Sequence, residues 1–196
     1  MHCKQFLLVF LSLVLVACGN NNQVRYVDAD PTEVNVIRKN MSNKQQTLYD
    51  EALTAIENKD YRDAIKRLES ITKQNDTLAE VYLNLALAHY QLEAFANSES
   101  AAQRAVQLDP GSPNTQYMLG LASLQTNQIE TARTALEKAI EYDNEHAYAH
   151  YNLALIYDIY YQQLQSAIDH YQRYVLLVDE DDTETRDWIE QLKGSL

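Results

Sequence analysis

Residues 79–112, AEVYLNLALAHYQLEAFANSESAAQRAVQLDPGS, decide the fold of this chain. Residues of matching size recur about 34 positions before and after them. Three series keep this spacing: the small residues Ala52, Ala86, Gly120 and Ala154; the small residues Ala64, Ser98, Ala132 and Ala167; and the bulky residues Tyr61, Phe95, Ile129 and Leu164. Such self-similarity predicts an array of repeated units. The last unit has one extra residue within 159–163, where we expect the turn between two helices.

These series resemble the tetratricopeptide repeat. Residues 79–112 match its signature positions at Tyr82, Leu85, Ala86, His89, Phe95, Ser98, Ala102, Ala105 and Pro110. The resemblance implies an all-α solenoid of about four helical hairpins, at about 45–78, 79–112, 113–146 and 147–181, within an array over 45–182. The first unit is degenerate, since Glu51 stands where the family has Leu. Small residues let the two helices of a hairpin approach closely, while bulky residues fill the space between successive hairpins.

The segment 183–196 follows the array and predicts a last helix, TETRDWIEQLKG. Trp188, Ile189 and Leu192 share one face of it, and Glu184 and Asp187 lie near its positive amino end. We expect this helix to cap the open flank of the last repeat. The alternative is that it detaches and serves as a docking peptide.

The amino-terminal residues predict a targeting signal. Lys4 is followed by an apolar run over 6–17, which is typical of a signal peptide and too short to span a bilayer. The run ends in Leu-Val-Ala-Cys at 15–18, which resembles the lipobox of bacterial lipoproteins, so 1–17 would be removed and Cys18 would carry acyl chains. The alternative is a secretory signal with a chance Cys. Gly19, not Asp, follows Cys18, which by resemblance to sorting rules implies the periplasmic face of the outer membrane.

Residues 18–44 are polar without a helical period and predict a tether between the lipid and the array. An apolar patch at Val34, Val36 and Ile37 leaves open that part of it docks on the fold. The formal net charge of −12 argues against nucleic-acid binding, which needs a basic patch.

The sequence contains no pattern that predicts catalysis. We find no phosphate-binding Gly-rich loop, no nucleophile elbow and no HExxH, so we expect no enzyme activity and no cofactor. His146 and His150 have metal-ligand spacing but lack a third ligand nearby, and we predict no metal site. The acidic run at 179–182 lacks the spacing and the glycine of an EF-hand loop. An enzyme with an unrecognised site is the remaining alternative.

What remains is a binding surface. By resemblance, the first helices of the units line a concave side, and the positions that face it hold aromatic, aliphatic and amide side chains. We predict a protein-binding groove at Tyr49, Leu53, Leu83, Asn84, Leu87, Tyr90, Tyr117, Leu121, Leu124, Tyr151, Asn152 and Leu155. It differs from the Lys/Arg-rich clamp by which some relatives hold a terminal carboxylate, since these positions carry no Lys or Arg.

The expected guest of this groove is a helical or extended apolar segment, with basic residues attracted by the negative charge. The amides of Asn84 and Asn152 would then hydrogen-bond to the guest's backbone. The alternative for the tyrosines is packing between neighbouring helices. Tyr160 and Tyr161, near the last turn, are a second predicted interface.

Together these features predict a lipid-anchored scaffold that binds a protein partner. The chain resembles lipoproteins that assist pilus assembly and escort secretins to the outer membrane. The alternative is an adaptor that resembles the repeat lipoproteins bringing cell-wall hydrolases or periplasmic proteases together.

Overall fold

A computed structural model describes residues 40–178 and 182–196. Over these residues the chain is helical, without strands. The helices are α1 Asn43–Glu57, α2 Tyr61–Thr72, α3 Ala79–Gln91, α4 Phe95–Leu108, α5 Pro113–Gln125, α6 Ile129–Tyr142, α7 Ala147–Ile156, a π-helix Tyr157–Tyr161, α8 Leu164–Leu177 and α9 Thr183–Lys193. The predicted fold of four hairpins followed by a last helix is confirmed. None of the described helices has the length and apolarity needed to cross a membrane.

The starts of several helices follow from local capping. Ser42 and Gln45 form a capping box at the start of α1, in which each side chain bonds to the other residue's backbone amide. The array therefore begins at Asn43, two residues earlier than the sequence indicated. At α5, the Ser112 side chain accepts a hydrogen bond from the Thr115 amide, and Pro113 fills the first helical position, where no amide is needed. The predicted signal peptide, Cys18 and the predicted tether up to residue 39 lie outside the described residues.

Each hairpin turns through one residue in the left-handed region. These residues are Lys59, Glu93, Asn127 and Gln162, with φ between 54° and 61°, and they follow one another at intervals of 34, 34 and 35 residues. In the first three turns the next amide bonds back across the helix end, for example from the Ala94 amide to the His89 carbonyl at 2.9 Å. This is the bonding of a Schellman motif, in which glycine is the usual residue. None of the four is glycine.

The small residues lie where the two helices of a hairpin meet. Ala52, Ala86 and Ala154 are fully buried, and Gly120 is buried as well. A Cβ atom added to Gly120 would lie 2.7 Å from Cγ of Leu136 on the facing helix. This spacing explains why the eighth position of each unit holds Ala or Gly, because a larger side chain would push the two helices apart.

The last hairpin accommodates its extra residue within a helix. We expected the insertion to lengthen the turn within 159–163, but α7 instead continues as a π-helix over Tyr157–Tyr161. The chain then turns at Gln162, and the Gln163 amide bonds to the Tyr157 carbonyl at 2.9 Å. A π-helix is the usual way in which one inserted residue is absorbed by a helix without breaking it.

Helix α9 packs on the last hairpin. Ile189 and Leu192 are buried in a cluster with Ala154, Ile168 and Tyr171. Asp182 caps the helix by accepting a hydrogen bond from the Thr185 amide at 2.9 Å. The same carboxylate accepts a bond from the Tyr174 hydroxyl at 3.1 Å, which joins the start of α9 to α8.

Candidate protein-binding face

The first helices of the hairpins lie side by side and are joined by side-chain hydrogen bonds. The Asn84 amide donates to the Tyr49 hydroxyl at 2.9 Å, the Gln125 amide to the Tyr90 hydroxyl at 3.2 Å, and the Asn152 amide to the Tyr117 hydroxyl at 3.4 Å. Each pair of residues is 35 positions apart, so each bond connects one first helix to the next. We call the surface formed by α1, α3, α5, α7 and the π-helix the inner face.

Helix α9 extends this series. Trp188 donates its indole N–H to the carboxylate of Asp158 at 2.9 Å, which connects α9 to the π-helix. Burial raises the pKa of Asp158 above its usual value, and the hydrogen bond from Trp188 opposes that shift. Trp188 therefore supplies one donor to a carboxylate that is half removed from water.

The structure divides the predicted groove residues into two groups. Seven are half-buried on the inner face: Leu53, Leu83, Tyr90, Tyr117, Leu124, Tyr151 and Leu155. Five are buried: Tyr49, Asn84, Leu87, Leu121 and Asn152. Leu87 and Leu121 are only 5% and 6% exposed, so these two leucines are core residues and offer almost no contact area to a partner.

The buried amides also have partners within the chain. Asn84 donates its two amide hydrogens to the Tyr49 hydroxyl and to the Glu80 carbonyl, the latter at 3.0 Å. Asn152 donates to the Tyr117 hydroxyl and to the Tyr148 carbonyl. Because a side-chain amide has two N–H donors, both are used here, and neither Asn has a donor left for a guest's backbone. Tyr49 is buried between neighbouring helices, which is the alternative that the sequence analysis left open for the tyrosines.

The two tyrosines of the second predicted interface, Tyr160 and Tyr161, differ in exposure and in contacts. Tyr160 is 45% exposed. Tyr161 is half-buried, its hydroxyl donates to Glu130 on α6, and the Arg133 guanidinium lies 5.8 Å from its ring centre. The hydrogen bonds from Tyr161 and then from Arg133 lower the pKa of Glu130. Tyr161 therefore joins the third and fourth hairpins, and Tyr160 is left as the residue available to a partner.

His150 and His170 are in contact between α7 and α8, and this contact was not predicted from the sequence. The Nδ1 atoms of His150 and His170 are 2.9 Å apart, and Nε2 of His150 lies 3.2 Å from the Asn144 carbonyl. Since that carbonyl can only accept, Nε2 of His150 carries the proton, and His170 is the donor between the two rings. Burial lowers the pKa of both histidines. The sequence places His150 and His170 on the first and the second helix of the fourth repeat, and this was the one signal from which their contact could have been predicted.

His146 and His150, which have metal-ligand spacing in the sequence, take separate roles in the structure. His146 caps α7, because its Nδ1 accepts a hydrogen bond from the Ala149 amide at 3.2 Å. Within residues 40–178 and 182–196, no three His, Cys, Asp or Glu side chains are grouped so that they could hold a metal ion. Most of the acidic run at 179–182 lies outside the described residues.

Comparisons with known proteins agree with this architecture. A tetratricopeptide-repeat family model matches residues 49–113, and a second TPR-repeat model matches 122–157. The Small glutamine-rich tetratricopeptide repeat-containing protein 2 of Saccharomyces cerevisiae is 28% identical over 122 residues, which are 61% of this chain and 35% of that protein. The chain therefore spans about a third of the length of this relative.

Solved structures of similar fold cover more of the chain. A crystal structure of the MamA protein superposes with a TM-score of 0.69 at 22% identity, over 79% of this chain and 85% of that one. MamA 41-end from Desulfovibrio magneticus RS-1 gives 0.70 at 19% identity, over 79% and 86%. The first TPR of Spaghetti (RPAP3) bound to the HSP90 peptide SRMEEVD gives 0.58 at 22% identity, over 60% and 94%. At these identities the likeness concerns the fold.

Proposed function

We propose that this chain, a tetratricopeptide-repeat solenoid, is a lipid-anchored scaffold that holds a protein partner against its inner face at the periplasmic side of a bacterial outer membrane. The observation that carries the binding role is the strip of half-buried Leu and Tyr side chains on consecutive first helices. Partly exposed apolar residues that continue from one repeat to the next supply contact area for a polypeptide segment. The first TPR of Spaghetti, which has a similar fold, binds an HSP90 peptide in its solved structure, and this supports the same use of the fold here.

The anchoring role is supported by the sequence. Cleavage before Cys18 would leave a new amino terminus and a thiol that can both be acylated, and two or more acyl chains are needed for stable attachment. A tether between Cys18 and the start of α1, treated as a random coil of about 25 residues, would span roughly 30 Å on average, which would separate the array from the lipid headgroups.

A cysteine substitution tests the anchor. Cys18→Ser should move the protein from the membrane fraction to the soluble fraction or leave it unprocessed, and mass spectrometry should show no acyl chains. Cys3→Ser is the matched control, because Cys3 would be removed with the signal peptide. An acylated Cys18→Ser protein, or loss of anchoring in Cys3→Ser, contradicts the lipobox assignment.

A pair of inner-face substitutions tests the binding role. Leu83→Glu with Leu155→Glu places charge on two half-buried leucines of α3 and α7, and we expect loss of partner crosslinking in native membranes while circular dichroism stays helical. Leu92→Glu, at a leucine 39% exposed in the turn that follows α3, is the control and should leave crosslinking unchanged. Retained crosslinking in the double variant contradicts the inner face as the binding site.

The partner that we propose is a component of pilus or secretin assembly, on the basis of the resemblance to lipoproteins of those machines. Identification of the crosslinked protein tests this proposal directly. A secretin or pilus-assembly component is the expected result. Recovery of a cell-wall hydrolase or a periplasmic protease would instead assign the chain to the adaptor class.

A further inference from the structure

The first helices α5 and α7 differ in charge from the rest of the chain. Their sequences contain no Asp, Glu, Lys or Arg, although residues of these four types make up 22% of the chain. On α3, Glu80 is the only residue of these types. A guest whose contacting side is uncharged complements such a surface, because a charged group would lose water there without an opposite charge to replace it.

Equivalent residues of consecutive first helices form a row across the inner face. Leu83, Tyr117 and Tyr151 hold the fifth position of the second, third and fourth units, and they follow one another at intervals of 34 residues. All three are half-buried. Because the axes of packed helices are about 8 to 10 Å apart, the row spans roughly 16 to 20 Å from α3 to α7.

The spacing of this row matches one backbone conformation of a guest. In a polyproline II segment every third residue lies on the same side, about 9.3 Å from the last, so three such residues span about 19 Å. In a β-strand, residues on the same side are about 6.7 or 13 Å apart, which misses the neighbouring helices. In an α-helix the same side returns after seven residues, so three such residues span about 21 Å, which is longer than the row.

The two tyrosine rings of the row are held in place by contacts within the chain. The centre of the Tyr117 ring lies 4.5 Å from the centre of the His146 ring. The centre of the Tyr151 ring lies 4.9 Å from that of Tyr174 and 5.7 Å from that of Tyr171. Because these rings have little freedom to lose on binding, they suit a guest that is rigid as well, and proline supplies that rigidity by fixing φ.

We propose that the inner face binds an uncharged, proline-rich segment in the polyproline II conformation, which crosses α3, α5 and α7 with every third residue against Leu83, Tyr117 and Tyr151. This inference rests on the proposed function, since it names the class of guest for the same face. Such a segment keeps its carbonyls in water, so it needs no donor from Asn84 or Asn152, whose N–H groups are already used. Grooves lined by aromatic side chains are the usual docking sites of polyproline II segments.

Titrations with uncharged peptides test the class of guest. Three probes are titrated by calorimetry into the detergent-solubilised full chain, and into detergent alone as a blank. They are a nine-residue peptide of three Pro-Pro-Leu triplets, a peptide of the same composition with Leu at its first, fifth and ninth positions, and a 15-residue amphipathic helix of Leu and Gln. We expect the triplet peptide to bind at least about tenfold more tightly than the other two, because only its leucines recur on one side at the spacing of the row.

Substitutions of one ring separate the aromatic contact from the hydrogen bond that the ring makes. Tyr117→Ala should weaken binding of the triplet peptide about tenfold. Tyr117→Phe loses the hydroxyl that accepts from Asn152 but keeps the ring, so its affinity should stay within about twofold of the wild type. The control is Tyr142→Ala, at a tyrosine 48% exposed on the second helix α6, and it should leave binding unchanged.

Circular dichroism checks that each variant is helical, and Leu83→Ala, at the other end of the row, takes the place of Tyr117→Ala if that variant does not fold. Equal losses in Tyr117→Ala and Tyr142→Ala would overturn the inference. So would equal binding of the two proline peptides, because the spacing of the row would then select nothing.

Two outcomes distinguish this inference from the proposed function. If the helical peptide binds at least as tightly as the triplet peptide, and Leu83→Glu with Leu155→Glu abolishes its binding, the face is a binding site and the class of guest is wrong. If no peptide binds, the proline-rich guest is wrong as well, while the binding role of the inner face is decided by the crosslinking of the native partner.

Discussion

Gly120 has less space for a side chain than the other glycines within residues 40–178 and 182–196. It lies on α5 at the point where Leu136 of α6 crosses, and Leu136 is fully buried. A methyl group at this position would lie 2.7 Å from Cγ and 2.8 Å from Cδ2 of Leu136, distances that real Cβ contacts do not reach. Because both atoms belong to the branched end of a side chain held in the core, Leu136 cannot move away without displacing its neighbours.

Substitution of Gly120 tests this contact. Gly120→Ala should lower the free energy of unfolding by about 1 to 3 kcal/mol through overpacking, despite the higher helix propensity of Ala. Gly111→Ala is the control, because its Cβ would meet only Asp109, at 3.9 Å, and its backbone does not need glycine. Urea denaturation of both variants measures the difference. A Gly120→Ala protein as stable as wild type would show that the hairpin can open at no cost.

Side-chain size could be predicted from the sequence, whereas exposure could not. The small residue at Gly120 belongs to a series that the repeat requires, and the structure buries the whole series. Leu83 and Leu87 lie one helical turn apart on α3, and the sequence placed both in the groove. Leu87 is buried and Leu83 is half-buried, because burial depends on how closely the next first helix approaches, a distance that no single repeat encodes.

The turns between the helices of each hairpin adopt a backbone conformation that their residues disfavour. Glu93 adopts a φ of 57°, and Lys59, Asn127 and Gln162 adopt the same conformation in the other hairpins. A residue with a Cβ costs about 1 to 2 kcal/mol in this region, while Asn tolerates it better. The turns nevertheless form in every hairpin, because packing of the two helices determines where the chain must reverse.

Glycine at the second turn tests this cost. Glu93→Gly should raise the free energy of unfolding by about 0.5 to 1 kcal/mol, since the relief of the left-handed conformation exceeds the entropy that glycine adds to the unfolded chain. Ser100→Gly, at an exposed site within α4, should lower it by roughly 0.5 kcal/mol. Thermal denaturation compares the two, and a Glu93→Gly protein no more stable than wild type would mean that this turn carries no strain.

The contact of α7 with α8 predicts a dependence of stability on pH. Burial is the main cause that lowers the pKa of both histidines, His150 and His170. For His150, Arg173 adds to the lowering, and the bond to the Asn144 carbonyl and the charge of Asp143 oppose it. For His170, His150 adds to the lowering, and Asp169 and Glu137 oppose it. Because the native pKa lies below the unfolded value of about 6.5, the unfolded chain binds more protons at pH 5 to 6.5. The contribution to stability is therefore present above pH 6.5 and is lost as the pH falls.

A variant without one titrating ring tests this effect. His170→Phe keeps an aromatic ring stacked near Tyr157 and cannot be protonated. We expect the loss of stability between pH 7.5 and 5 to be smaller in this variant than in the wild type, measured by urea denaturation at the two pH values. Denaturation at pH 7.5 serves as the control for folding. An identical pH dependence would show that the histidine pair does not couple folding to protons.

At the scale of the whole molecule, α9 completes the stack. It covers Ile168 and Tyr171 of the last hairpin, and through Trp188 it continues the bonds that join the first helices. Without it these side chains would face water. The period and the amphipathic pattern of 183–194 were enough to predict a capping helix, while the bond from Trp188 to Asp158 could not be foreseen, because it depends on the rotation that the π-helix gives to Asp158.

Removal of 183–196 tests the role of α9. We expect the deletion to lower the melting temperature by about 5 to 10 °C, because a large part of the core surface of α8 becomes exposed. Trp188→Phe, which loses the bond to Asp158 but keeps an aromatic ring, should cost about 1 to 2 kcal/mol. A deletion with no effect on melting would favour the alternative that this segment is a docking peptide.

The π-helix has a consequence for how the array tolerates changes of length. A surplus residue is stored in the wide turn over Tyr157–Tyr161, and the left-handed reversal at Gln162 restores the register before α8 begins. A slip of one position in an ordinary helix would rotate everything after it by about 100° and expose its buried side. Here the change of register ends within the π-helix. One residue could therefore be inserted or deleted at this turn while α8 and α9 keep the same buried faces.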